Sequence, residues 1–432
     1  MASPLFQRLD TASMSAVNYG TLLVCFLMNI LDGMDVLVIS YCAPAIAKSW
    51  AVGPEALGIV FSSGLAGMTM GALLLAPYAD HIGRKKMILL SALLMGVSVL
   101  LTAWAGSVTQ LIALRFISGI GIGSMLASTA TLSAEYAPSK SRDFWVSFVI
   151  SGYPVGAVLS GMVAAWVVPS YGWQTMFVLA SMASFITLPL IYLYLSESIE
   201  FYLNKQPQGG LQKANLLLQK MHLEPLAEYP PQTTQNSGIP VGKLFGSELR
   251  AATLKLWLAL FMAFGCLYFL TSWIPKMAES TGLSMELAIY AGTVFNGGAW
   301  LGIISQGYFS SRVGLKKTIA VYLILTGLLM VVFRWFLGTD ALLFIFGLLG
   351  FFLQGGFVGL YALAARTYPT FFRATGMGWS IGIGRLGGVI GPAAGGILIG
   401  MGLLMATTFT IFAVPAFLAG ILTLSISSKS DS

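Results

Sequence analysis

Apolar runs of about 20 residues recur along this chain, each long enough to cross a lipid bilayer as a helix. They fall near 20–43, 57–79, 87–106, 110–134, 146–168, 174–195, 251–273, 286–310, 316–337, 340–364, 375–399 and 405–426. A bilayer core holds no water to satisfy backbone groups, so each run must close its own hydrogen bonds as a helix. The pattern predicts an all-α membrane protein with twelve transmembrane helices. Only 9% of the 432 residues are charged, against about 25% in a soluble domain. The first run is too long for a signal-peptide core and no small-residue cleavage site follows it, so it is expected to be retained.

Basic residues orient the spans. Arg84 to Lys86, Lys140, Arg142, the bases between Lys205 and Arg250, Arg312 to Lys317, Arg366 and Arg373 fall on one side, and little beyond Lys48 and Lys276 on the other. That places both termini and the long middle loop in the cytoplasm, with the chain a multi-pass protein of the plasma (inner) membrane. The net charge of +7 follows from this topology and calls for no nucleic-acid partner. Cys25, Cys42 and Cys266 lie within or at the end of apolar spans, which is no disulfide framework. His81 and His222 fall in loops, so no metal-ligand cluster and no cofactor is expected. Without a paired nucleophile and base outside the loops, an enzyme is not expected either.

Residues 196–250 form a polar linker containing QPQGG and EYPPQTTQNSGIP, which divides a six-helix unit at 1–195 from another at 251–432. The two units match at a fixed offset. Gly83 and Gly314, Pro138 and Pro369, Arg142 and Arg373, Gly67 and Gly298, and Gly156 and Gly387 are each 231 residues apart (314 − 83 = 231). A duplicated unit explains this, with two six-helix bundles related by a pseudo-two-fold axis. Such parallel repeats hold their site at the bilayer midplane between the halves and move by rocking.

Asp32 and Asp35 stand in the middle of the first span, where a carboxylate costs at least ~2.5 kcal/mol. Three residues apart, they share a helix face with Asn29, and Gly33 leaves that face thin. The pair reads either as a proton or substrate site facing a polar cavity, or as a source of ion pairs to a neighbouring helix. Arg115 in the fourth span cannot lose its proton and needs an acid or a substrate anion. Arg385 lies about 17 Å into the eleventh span at 1.5 Å per residue, near mid-bilayer. Its planar fork suits a carboxylate. It either grips a substrate or neutralises Asp32 or Asp35, and both readings can hold in different states. Tyr153, Asn296, Trp300, Gln354 and Tyr361 are further candidate liners, with Tyr268 and Trp273 nearer the opposite end of their span. Each also reads as ordinary packing or an interfacial belt residue.

After the second span comes APYADHIGRKK, in which a Gly permits a tight reversal and Asp80 can reach a helix N-terminus or an arginine. Asp80, Gly83, Arg84, Lys85 and Lys86 resemble the loop 2–3 signature of the major facilitator superfamily, although Ala76 and His81 depart from it. RFISGIGIGS from Arg115 and SESIEFYL around Glu197 resemble the motifs of that superfamily's fourth and sixth helices. LDGMD (Leu31 to Asp35), SAEYAPSKSR (Ser133 to Arg142) and the stretch from Tyr368 to Pro392 resemble the aromatic acid:proton symporters within it.

The resemblance implies a proton-coupled symporter that imports a small organic anion by alternating access. The anion would be an aromatic carboxylate or its ring-cleavage product, with protons and the lipid bilayer as the other partners and the monomer as the working unit. It implies proton coupling at Asp32, Asp35 and Arg115, with Glu135 as a further candidate. It implies a gating clasp of Asp80, Gly83, Arg84, Arg142, Glu197, Arg312 and Arg373. The alternative is a proton-coupled drug or metabolite exporter of the same superfamily. Such exporters carry a Gly-Pro motif in helix five, where this chain reads GYPVGAVLSGM. A receptor that has lost transport is disfavoured by the intact Asp32, Asp35, Arg115 and Arg385.

Overall fold

A computed structural model describes residues 14–229, 241–246, 249–339, 341–368 and 373–426. Twelve of its helices are long and apolar enough to cross a membrane. They are α1 (Ala16–Trp50), α2 (Pro54–Ile82), α3 (Arg84–Thr102), α4 (Val108–Tyr136), α5 (Phe144–Tyr171) and α6 (Trp173–Tyr194), then α7 (Arg250–Ser280), α8 (Met285–Val313), α9 (Leu315–Phe336), α10 (Ala341–Thr367), α11 (Thr375–Gly400) and α12 (Met405–Leu424). Their outward faces stay apolar. Leu73 and Leu74 are each 62% exposed and Ile186 66%, a surface suited to lipid.

Local chemistry sets the ends. Ser15 caps α1 in a capping box with Asn18, and Ser107 and Ser284 cap α4 and α8. The reversals from α2 to α3 and from α8 to α9 turn on Gly83 and Gly314, whose φ values of +103° and +100° suit only glycine. Before its turn α2 loses regularity. A π stretch at Gly71–Leu75 runs into a 3₁₀ turn at Ala76–Tyr78, where Pro77 has no N–H to give. Two short linker helices, Ile199–Lys205 and Gly210–Lys220, follow α6.

The 231-residue repeat reappears in the packing. A Cβ on Gly67 would strike the Phe116 carbonyl, and one on Gly298 would strike that of Gly347. Gly156 sits likewise on Ile30 and Gly387 on Phe261. In each pair both members are 231 residues apart (298 − 67 and 347 − 116; 387 − 156 and 261 − 30). Without Cβ atoms the helices meet backbone to backbone, and dispersion over that contact replaces the hydrophobic drive that lipid removes. Two six-helix bundles, α1–α6 and α7–α12, result.

The bundles meet mainly through α2 against α11 and α5 against α8. Among the described residues, the hydrogen bonds and ring contacts that cross between them cluster toward one end. Ser40 donates to the Thr271 and Ser272 carbonyls at 2.8 and 2.9 Å, and Ser62 donates to the Val389 carbonyl at 2.6 Å. Phe61 meets Trp273 edge-on at 5.4 Å. This sealed end lies opposite the basic turns at Gly83 and Gly314.

Leucine at Gly156 or Gly387 should lower the thermal unfolding temperature in detergent, since overpacking costs about 1–3 kcal/mol. Alanine at Gly297, which has no neighbour within 4 Å of its would-be Cβ, should leave it unchanged. Equal shifts in all three variants would contradict the packing described.

Candidate functional site

Arg115 and Asp35 answer each other. The Arg115 Nη1 donates to Asp35 Oδ1 at 2.8 Å, and Nη2 donates to the Asp35 main-chain carbonyl at 2.9 Å. Ser118, one turn along α4 from Arg115, donates a short hydrogen bond to Asp35 Oδ2. Arg115 is 2% exposed and Asp35 3%, so the pair is shut away from solvent. Of its polar atoms, the Arg115 Nε is left without a partner among the described residues.

Asp32, one turn earlier on α1, is fully buried, and neither of its carboxylate oxygens has a hydrogen-bond partner among the described residues. The glycine between the acids explains what approaches it. A Cβ at Gly33 would collide with the Tyr153 carbonyl, so α5 lies directly on α1 there. Tyr153 comes within electrostatic range of Asp32, and across the interface of Tyr268. Tyr268 and Tyr361 in turn lie within range of Arg385. Tyrosines therefore stand near the free acid in one half and near the arginine in the other. No salt bridge among the described residues uses Arg385. A small cavity lies between the halves on the sealed side, walled in part by Ser40, Phe61, Arg115 and Tyr268.

The other expected liners are less united. The Asn29 Nδ2 donates to the Cys25 carbonyl at 3.0 Å and to Thr129 Oγ1 at 3.4 Å, while its buried Oδ1 has no partner among the described residues. Asn296 donates to the Gly292 carbonyl at 2.9 Å and lies near the Tyr41 hydroxyl. Trp300 is 43% exposed, and Gln354 is half-buried. Tyr361 joins the aromatic cluster, 5.3 Å from Phe357 and 6.3 Å from Phe264. Trp273 belongs to the seal, where its Nε1 donates to the Pro392 carbonyl.

Glu135 lies apart from the acidic pair. It stands level with Asn18, whose Nδ2 donates to the neighbouring Tyr136 carbonyl at 2.7 Å, roughly 20 Å along α1 from Asp32. There it meets Arg84 at 3.4 Å, and Arg84 also holds Asp80 at 2.9 Å. Glu197 accepts from the main-chain N–H groups of Lys85 and Ser198, and a Cβ at Gly83 would overlap its carboxylate. Asp80, Gly83, Arg84, Glu135 and Glu197 thus form one network inside the first bundle. Arg142 begins the helix leading into α5. Arg312 does not join the network; it lies over the Tyr308 ring at 4.2 Å. The repeat explains why: Leu315 and Ser311 occupy the places of Arg84 and Asp80. The side chain of Arg373 lies outside the described residues.

Sequence reasoning missed Ser118 and Phe264. Ser118 was detectable as the i+3 neighbour of Arg115. Phe264 packs edge-on to Phe357 at 4.7 Å and stacks near Tyr268 at 6.1 Å, and only the repeat offset could have marked it.

The family model described as Major Facilitator Superfamily matches residues 25–306 and 256–431. The gallate transporter of Pseudomonas putida is 32% identical over 96% of this chain and 92% of its own length. The 4-hydroxybenzoate transporter PcaK of Acinetobacter baylyi is also 32% identical, with the same coverage of both chains. Among solved structures, the inward-open xylose transporter XylE from E. coli shares the fold at a TM-score of 0.73 and 18% identity, over 95% of this chain and 96% of that one.

The two acids should respond differently to substitution. Asp35→Ala strands the Arg115 charge and should cost about 3–5 kcal/mol. Asp32→Asn breaks no hydrogen bond and should cost no more than about 1 kcal/mol. Unfolding temperatures in detergent check this, and equal falls would contradict it.

Proposed function

The chain belongs to the major facilitator superfamily, and from that premise we propose that this membrane transporter is a proton-coupled symporter importing a small aromatic carboxylate. Its family, its relatives and its structural neighbours are transporters, not enzymes. The substrate class is drawn from the relatives' names, which specify gallate and 4-hydroxybenzoate. One observation carries the reading. Among the described residues Asp32 is a buried carboxylate without a hydrogen-bond partner and Arg385 a guanidinium without a salt bridge, with Tyr153 near the first and Tyr268 near the second.

The roles follow from the charges. Arg115 already compensates Asp35, so Asp35 holds a fixed position and Asp32 is the acid free to exchange a proton. Arg385 takes the substrate carboxylate with its bidentate fork, and the tyrosines stack on the ring. With Asp32 protonated and Arg385 paired, the space carries little net charge and can close around its load. Discharge returns the proton and the anion together. No covalent step is involved.

Positive-inside topology assigns the basic end to the cytoplasm, with both termini there and the protein in the inner membrane. A seal at the opposite end then describes an inward-facing state. Segments 1–195 and 251–432 rock about it as rigid halves joined by the 196–250 linker, each monomer acting alone. The Asp80, Arg84, Glu135 and Glu197 network is the first-half part of the cytoplasmic gate. In this reading Arg142 and Arg373 join it on closing.

In proteoliposomes, Asp32→Asn should abolish accumulation driven by a pH gradient, while exchange of labelled for unlabelled substrate survives. An asparagine variant that still concentrates substrate would move the proton site elsewhere.

Arg385→Lys should weaken binding of benzoate-type acids by at least about tenfold despite keeping the charge, because an ammonium lacks the fork. Arg385→Ala should remove binding from a protein that still folds. Calorimetric titration measures both, and wild-type affinity in the alanine variant would exclude direct contact.

A further inference from the structure

The two bundles differ at one layer in a way their repeat makes visible. Positions 33 and 264 correspond, as do 153 and 384 (264 − 33 = 231 and 384 − 153 = 231). In the first bundle the glycine is on α1 and the ring on α5, as Gly33 and Tyr153. In the second the ring is on α7 and the glycine on α11, as Phe264 and Gly384. Both pairs are in contact, Gly33 with the Tyr153 main chain and Gly384 with the Phe264 ring itself. A Cβ at Gly384 would stand 2.5 and 2.7 Å from two ring carbons of Phe264. One turn on, a Cβ at Gly388 would stand 2.8 Å from a ring carbon of Tyr268.

Phe264 and Tyr268 are therefore laid against a glycine stripe of α11, stacked with 6.1 Å between centroids and 21° between planes. Arg385 issues from the residue after the first glycine. Phe264 is 3% exposed and has little room to retreat, because Phe357 meets it edge-on at 4.7 Å. A methyl group at position 384 must push the Phe264 ring off α11. The rings beside it are Tyr268 and Tyr361, the two that lie within range of Arg385.

We propose that Gly384 is a specificity-determining position, which by letting Phe264 lie flat on α11 sets the width of the slot beside Arg385 and hence the size of ring that the slot admits. The inference rests on the reading of this site as one for aromatic carboxylates. It separates two parts of recognition. Arg385 supplies affinity for any carboxylate, and the depth at which Phe264 stands supplies discrimination among rings. A hydrophobic slot discriminates by about 10- to 200-fold per methylene-sized change, which makes one Cβ a usable filter.

The test is calorimetric titration of the purified full-length protein with benzoate, 4-hydroxybenzoate and 3,4,5-trihydroxybenzoate. Gly384→Ala should weaken the trihydroxy acid at least about tenfold and benzoate less than about threefold. Adding Phe264→Leu to that variant should restore the trihydroxy acid to within about threefold of wild type. Phe264→Leu alone, which only removes bulk, should shift the ratio the other way, and it carries the test if Gly384→Ala unfolds. Equal losses for all three acids, an unchanged ratio in both single variants, or no restoration in the double variant would overturn the proposal. If the wild type binds none of the three acids, the functional reading falls and this inference with it. If it binds them with ratios insensitive to position 384, only this inference falls.

Discussion

An arginine that cannot shed its proton, placed between apolar helices, must be answered by an acid wherever the chain moves. Arg115 has that place on α4, and Asp35 answers it with a side-chain oxygen and its own main-chain carbonyl while Ser118 holds the second oxygen. This grip fixes α1 against α4 at one height. It also decides what remains chemically available. With Asp35 committed, the second acid of the same helix face is left as a group whose charge can change without dismantling the bundle. Removing either partner strands a buried charge, so the pair is a constraint on folding.

Close backbone contact is the second condition. Lipid offers no hydrophobic reward for bringing helices together, so they approach until main chains touch, and glycine decides where. The contacts of Gly67 and Gly298 and of Gly156 and Gly387 repeat across the halves, because they build the scaffold. Where the halves face the shared space the repeat breaks. Gly33 meets the main chain of Tyr153 whereas Gly384 meets the ring of Phe264, so main chain packs on the glycine in one bundle and a side chain in the other. A duplicated protein thereby lines a single space with different chemistry on its two sides.

Much of this was legible in the sequence, for physical reasons. The twelve spans follow from the length of the apolar runs. Intramembrane charge is costly and stands out, so Asp32, Asp35, Arg115 and Arg385 were visible at once. What a charge touches was less legible. Asn29 shares the acids' face with its amide nitrogen turned to Thr129, and Glu135 lies at the foot of α4 beside Arg84, because a helix-face argument gives direction without height. Arg312 looked equivalent to the bases of the first loop, yet the acid and arginine of that network are Ser311 and Leu315 in the second half. Apolar Phe264 carried no signal among so many phenylalanines.

The seal between the bundles has a property of its own. Its hydrogen bonds run from two serine hydroxyls, on Ser40 and Ser62, to main-chain carbonyls on the opposite half. A carbonyl is present whatever side chain its residue bears, so positions 271, 272 and 389 are free to drift while the seal still forms. Interhelical hydrogen bonds of this kind average about 0.6 kcal/mol in membrane proteins. A few such bonds let go under ordinary thermal agitation, so the closed end behaves as a latch rather than a lock, and its grip can be tuned one hydroxyl at a time.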